Sequence, residues 1–160
     1  MKPLNPIGPD WMAPLTDAIA HSGGRGGFIV AIPEYRPSLI RLLANRQGLY
    51  YCDFRAERMA ALGWEASKLP LSALDDTIAE TIPKSGKGII LQNAEALLAA
   101  KPAAERRAWL ESFTQTNWTG TVVVPVSVFT SDLPEENGRV VTLDMALLPA
   151  ESMLIRLASQ

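Results

Sequence analysis

The stretch Gly27-Phe28-Ile29-Val30-Ala31-Ile32-Pro33-Glu34-Tyr35-Arg36-Pro37-Ser38-Leu39-Ile40-Arg41-Leu42-Leu43 decides the fold. Phe28 to Ile32 is apolar without alternation, the pattern of a parallel strand covered on both faces. Pro37 suits the first turn of a helix, where its missing N–H is not needed. Leu39, Ile40, Leu42 and Leu43 then supply a buried face at helical spacing, and Gly48 ends the helix after about Gln47. Strand, turn and helix in this order place Pro33 to Ser38 where a nucleotide-binding α/β protein puts its phosphate-binding loop. That turn contains neither glycine nor lysine.

The alternation continues in both directions. Upstream, Asp10 can cap a helix carrying Trp11, Leu15, Ala18 and Ile19 on one face, with Pro14 in the first turn and Ser22-Gly23-Gly24 as the stop. Gly23 to Gly27 is rich in glycine but precedes a strand, whereas a phosphate cradle follows one, so it reads as a linker. Met1 to Pro9 is a Pro-spaced extended arm, either a solvated tail or a segment that lies on a partner.

Downstream, Leu49 to Phe54 reads as a strand, Ala56 to Leu62 as a short helix stopped by Gly63, and Leu71 to Ile82 as a helix with Ser72 as its cap. Gly88 to Leu91 is a third strand and Pro102 to Thr116 a helix. Thr121 to Phe129 is a fourth strand in which Pro125 marks a bulge or a strand end. Asp132 to Gly138 is a turn, Arg139 to Leu143 a fifth strand, and Pro149 to Ala158 a closing helix with Met153, Leu154 and Leu157 facing inward. This order predicts an α/β three-layer sandwich around a five-stranded, mainly parallel sheet, one domain over residues 10–160 behind an arm over residues 1–9.

Composition narrows the function classes. The chain has 160 residues, 48% of them apolar, and a formal net charge of -2, which disfavours direct nucleic-acid binding through a broad basic footprint. One cysteine, Cys52, and one histidine, His21, exclude an internal disulfide and a cysteine-based zinc site. No signal peptide and no membrane-spanning run are read, so the expected location is the cytoplasm.

With the elements placed, the chain resembles the core of P-loop NTPases of the RecA and AAA+ kind over about Gly27 to Ala158. The resemblance implies a phosphate loop after the first strand. There Ser38 falls near the Mg²⁺-binding hydroxyl position and Pro37 near the lysine, while Arg36 is the nearby cation. It also implies an acidic end to the third strand. Leu91-Gln92-Asn93-Ala94-Glu95 is similar to the Leu-Asp-Asn-x-Glu form of some small members, with Gln92 in place of the Mg²⁺-holding aspartate and Glu95 retained. Loss of both lysine and aspartate argues against hydrolysis of Mg-nucleotide. Size and the same strand end also resemble the small P-loop protein of some BREX bacteriophage-exclusion systems.

Other residues carry weaker signals. Lys84-Ser85-Gly86-Lys87-Gly88 precedes a strand and reads as a solvated turn. Cys52 reads as a buried structural thiol, with no base aligned by sequence. Asp53, Glu34, Glu95 and Ser127 sit at the carboxyl edge of the sheet, where α/β proteins place ligands, or else serve there as caps. Arg106 and Arg107 read as a solvated helix face or as arginines presented to a neighbouring subunit. Trp109 reads as core; Trp11, Trp64 and Trp118 are candidate interface residues.

The expectation is therefore a non-catalytic adaptor or regulatory subunit in a bacterial assembly, linked to DNA defence, repair or replication. It would work through a protein partner such as an NTPase or DNA-processing subunit, with self-association left open and no cofactor or metal. The alternative is a small domain binding a nucleotide or phosphate ligand through Arg36, Ser38, Asp53, Gln92, Glu95 and Ser127.

Overall fold

The computed structural model describes residues 10–135 and 138–148. The arm expected over residues 1–9 and the closing helix expected over Pro149–Ala158 lie outside the described residues.

Five parallel strands form the sheet: β1 (Gly26–Ala31), β2 (Tyr50–Asp53), β3 (Gly88–Gln92), β4 (Thr121–Val126) and β5 (Val140–Thr142), in the order β2-β3-β4-β1-β5. The period of two along each strand sorts the core into two layers. Phe28, Val30, Ile32, Ile90, Val123 and Val141 face α1 (Ala13–His21) and α2 (Pro37–Gln47). Ile29, Ile89, Leu91, Val122, Val124 and Val126 face α3 (Ser72–Ser85), α4 (Glu95–Leu98) and α5 (Ala103–Gln115). The result is the three-layer α/β sandwich that the apolar runs predict.

α2 occupies the predicted span, because its signals are local: Pro37 opens it, and Gly48 closes it at φ 70°. Asp10 accepts the Met12 N–H at 3.1 Å in a turn just before α1, whose N-cap is Met12 without a side-chain capping bond, so Asp10 is not the cap that the sequence leads one to expect.

Elsewhere the boundaries move, for reasons that lie in distant parts of the chain. β1 begins at Gly26, so Gly26 and Gly27 are strand rather than linker. A Cβ on Gly27 would meet the Phe113 carbonyl at 2.6 Å, so only glycine lets α5 approach the sheet this closely. β4 ends at Val126, short of Phe129, because the next three N–H groups turn away to Glu95. Pro125 lies inside β4 without a bulge. The Val126 carbonyl bonds β1 through Ile32 N–H at 2.9 Å, so the position before it points toward β3, whose pairing with β4 ends at Val123. No ladder bond is lost there.

The short helix expected at Ala56–Leu62 is instead a π turn (Arg55–Met59) followed by a 3₁₀ segment (Ala60–Lys68) broken at Gly63, φ 58° and ψ -134°. α3 runs past Ile82 through Pro83, which falls in its last turn where only one ladder bond is forgone, and Ser72 makes no capping hydrogen bond. Thr130–Asp132 is a 3₁₀ turn, and Asp132 is buried rather than part of a solvated turn.

Candidate functional site

β1 is flanked by β4 and β5, and the chain leaves β1 for one face of the sheet and β3 for the other. The strand ends therefore open a crevice at the carboxyl edge, where α/β folds bind ligands. It lies between the turn after β1 and the ends of β3 and β4, and Glu34, Tyr35, Arg36, Gln92, Asn93 and Ser127 are among its lining residues. Its free volume is about 20 Å³, room for about one water. Tyr35 and Arg36, from the turn after β1, both line it. Ser38, in the first turn of α2, is not among the lining residues.

Glu95 is the best-connected group at this edge. Its Oε1 accepts from Ser127 N–H at 2.7 Å and Ser127 Oγ–H at 3.2 Å; its Oε2 accepts from Val128 N–H at 2.8 Å and Phe129 N–H at 2.9 Å. Three successive N–H groups converging on one carboxylate form an anion nest, and here the chain supplies its own anion. Sequence reasoning placed Glu95 and Ser127 at one edge but did not foresee this contact, because backbone N–H groups leave no mark in a sequence.

Gln92 is the most unusual group. Only 2% of its surface is exposed, and its Oε1 has no hydrogen-bond partner among the described residues. A buried acceptor left unpaired costs roughly 1–3 kcal/mol. Next to it, Asn93 takes a left-handed backbone, φ 64°, and its Nδ2 donates to Asp53 Oδ1 at 2.9 Å. Asp53 Oδ1 also accepts the Ala56 N–H at 3.2 Å. Asp53 therefore braces the ends of β2 and β3 against the π turn and does not line the crevice.

An open groove of about 270 Å³ adjoins the crevice, sharing Tyr35, Asn93, Glu95 and Ser127 with it and adding Ala96, Ala99, Val128 and Phe129 on its apolar side. Tyr35 and Val128 are exposed apolar side chains.

The remaining candidates fall elsewhere. Arg107 is exposed, as a solvated face requires, whereas Arg106 is largely covered, and both are tied to one carboxylate. Their Nε atoms each donate to Asp132 at 2.9 Å, Arg106 also reaches the Lys101 carbonyl at 2.6 Å, and its guanidinium lies over the Phe129 ring. These contacts, Arg106 foremost, hold the Asp132 carboxyl below its ordinary pKa. Trp11 is buried in the core under α1, and Trp118 packs against Phe113, donating its indole N–H to the Phe113 carbonyl at 3.3 Å. Trp64 is 76% exposed, beside exposed Leu62 and under Lys68.

Cys52 is buried and donates to Glu57 Oε2 at 2.9 Å; burial first, then Glu57, push its thiol pKa up to about 12. His21 is exposed on α1 and does not approach it. Among the described residues, no group of three or more His, Cys, Asp or Glu side chains is placed to hold a metal ion, and no helix is long and apolar enough to cross a membrane.

Fold and site together define an α/β three-layer protein whose carboxyl-edge crevice is nearly filled by its own side chains. Comparison with protein families, with curated proteins and with solved structures finds no match to this chain.

Proposed function

We propose that this chain is a non-catalytic, P-loop-NTPase-like adaptor or regulatory subunit that works through protein–protein contacts in a bacterial assembly handling DNA. The strand order β2-β3-β4-β1-β5, with β1 between β4 and β5, supports a core of RecA/AAA+ type. The observation that carries the non-catalytic reading is the state of Glu95. Its carboxylate is committed to four hydrogen bonds within the chain and has no oxygen left to align a water. The crevice of about 20 Å³ supports the same reading, since a phosphate chain would need Tyr35 and Arg36 to leave. Exposed Trp64 and Leu62 supply the kind of anchor that protein interfaces favour.

The test is ATP and GTP turnover with Mg²⁺, alongside calorimetric titration with the same nucleotides. No turnover is expected in the native protein. Turnover abolished by Glu95→Gln would sink the proposal, and saturable nucleotide binding lost in Arg36→Ala would favour a ligand-binding domain instead. Capture of a partner that fails with Trp64→Ala is the expected positive result.

A further inference from the structure

We propose that residues 55–68 form a strap that opens as one piece while the sheet stays folded, and that its opening uncovers the thiol of Cys52. The strap is the π turn Arg55–Met59 followed by the 3₁₀ segment Ala60–Lys68. Of its residues only Ala66 is buried and only Met59 half-buried, so Ala60, Ala61, Leu62 and Trp64 leave their apolar surface in water. Burial therefore does little to hold it. Its backbone bonds hold it weakly too, since π turns are rare and 3₁₀ bonds have poor geometry in runs longer than three or four residues. Gly63 interrupts the run at φ 58° and ψ -134°, a conformation open to glycine and strained for other residues.

Side-chain ties close the strap. Cys52 Sγ–H donates to Glu57 Oε2 at 2.9 Å, Ala56 N–H to Asp53 Oδ1 at 3.2 Å and Lys101 Nζ–H to the Ser67 carbonyl at 3.3 Å, and Arg58 pairs with Glu80. All but the first lie in solvent, where such contacts add little. The ends are fixed: Phe54 is wholly buried, and Leu69 packs against the core layer that α3 covers. The sheet and its helices do not include the strap, since β2 ends at Asp53 and α3 begins at Ser72. Cys52 is wholly buried in β2, and Glu57, an exposed residue of the strap, lies against its sulfur. Lifting the strap removes that contact without breaking a strand pairing. Opening is independent of the adaptor role.

Cys52 is the chain's one cysteine, so alkylation of the full chain by iodoacetamide at pH 8.5 reports on that thiol alone. The rate is followed in urea below the unfolding midpoint. Opening the strap exposes a small part of the surface that unfolding exposes, so the logarithm of the rate should climb with urea at less than about a quarter of the slope of global unfolding. In Gly63→Ala the new Cβ meets nothing within 4 Å, so the closed strap alone is strained, and labelling should rise about tenfold. Lys101→Ala, which frees the Ser67 carbonyl, should raise it severalfold. Val141→Ala, in the edge strand β5 on the far side of the sheet from β2, weakens the open and closed forms alike. It should lower the urea midpoint and leave labelling within about twofold of the native rate. Labelling that follows the global slope, or that rises in Val141→Ala in step with the unfolded fraction, would overturn the proposal. Labelling unmoved in both Gly63→Ala and Lys101→Ala would do the same, because the thiol is then reached by motion of the Glu57 side chain alone.

Discussion

Replacing Glu95 should unfasten the loop after β4. In Glu95→Ala, the N–H groups of Ser127, Val128 and Phe129 and the Ser127 hydroxyl lose their acceptor. The Val128 bond is exposed, and water takes over there at little cost. The Ser127 and Phe129 N–H bonds are part-buried and go to a charged acceptor, each worth roughly 1.5–3 kcal/mol, with some of that recovered as the loop relaxes. A loss of about 3 kcal/mol follows, or a fall in Tm of roughly 6–12 °C for a domain of this size. Glu95→Gln keeps one acceptor oxygen but turns an NH₂ toward N–H groups, so about half that loss is expected. Urea unfolding followed by far-UV circular dichroism measures both, since an unchanged m-value with a lower midpoint reports stability alone. A loss below about 1 kcal/mol in Glu95→Ala would refute the anchoring role.

Three further outcomes follow from groups away from the crevice. Asp132 has its pKa held below 3.8, chiefly by Arg106 and then Arg107, so its contribution is present above the unfolded-state value and is lost as pH falls through the lower folded value; the stability gap between native protein and Asp132→Asn, read by denaturant unfolding, should be wide at pH 7 and should narrow below pH 4. Cys52, with its thiol pKa pushed up from 9.0 to about 12, should react with iodoacetamide at pH 8.5 on the order of a thousandfold more slowly than in the urea-unfolded chain, and the stability tied to it should fall as pH rises from 9.0 toward about 12. A Cβ on Gly88 would overlap the Thr121 carbonyl of the neighbouring strand, whereas one on Gly120 would come no closer than 3.1 Å to the Lys87 carbonyl, so Gly88→Ala should cost about 3 kcal/mol and Gly120→Ala clearly less by thermal unfolding.

What the sequence discloses about this fold is what short-range chemistry determines. Pro37 and Gly48 bound α2 because a helix start and stop are settled within a few residues. The apolar runs at Phe28–Ile32 and Thr121–Val126 announce buried strands because both faces of the sheet are covered. What it conceals depends on groups brought together by folding. Gly27 must lack a side chain because α5 lies against it, and Arg106 is drawn out of the solvent by Asp132 while its neighbour Arg107 reaches the same carboxylate from an exposed position. Trp109 reads as core from its helix face and is core. Trp11 and Trp64 both read as interface candidates, yet Trp11 is core while Trp64 stands in solvent. At the edge, the lack of glycine and lysine in Pro33 to Ser38 was legible, whereas the unpaired oxygen of Gln92 was not, since nothing in a sequence records which acceptors find a donor.

The same reasoning separates two roles that one residue letter can hold. A carboxylate after the third strand acts on water only if a lone pair faces the reactant. A carboxylate offers roughly four acceptor sites. In Glu95 they meet four donors from Ser127 to Phe129. Lending it to a water would mean releasing part of that loop. The two roles therefore respond in opposite ways to the nearly isosteric Glu95→Gln. In a base, the exchange removes turnover and leaves stability almost unchanged. In an anchor, it costs stability and finds no turnover to remove. The unfolding midpoint of Glu95→Gln thus tests the structural reading without any knowledge of a substrate, and a variant as stable as the native protein would return Glu95 to the list of chemical groups.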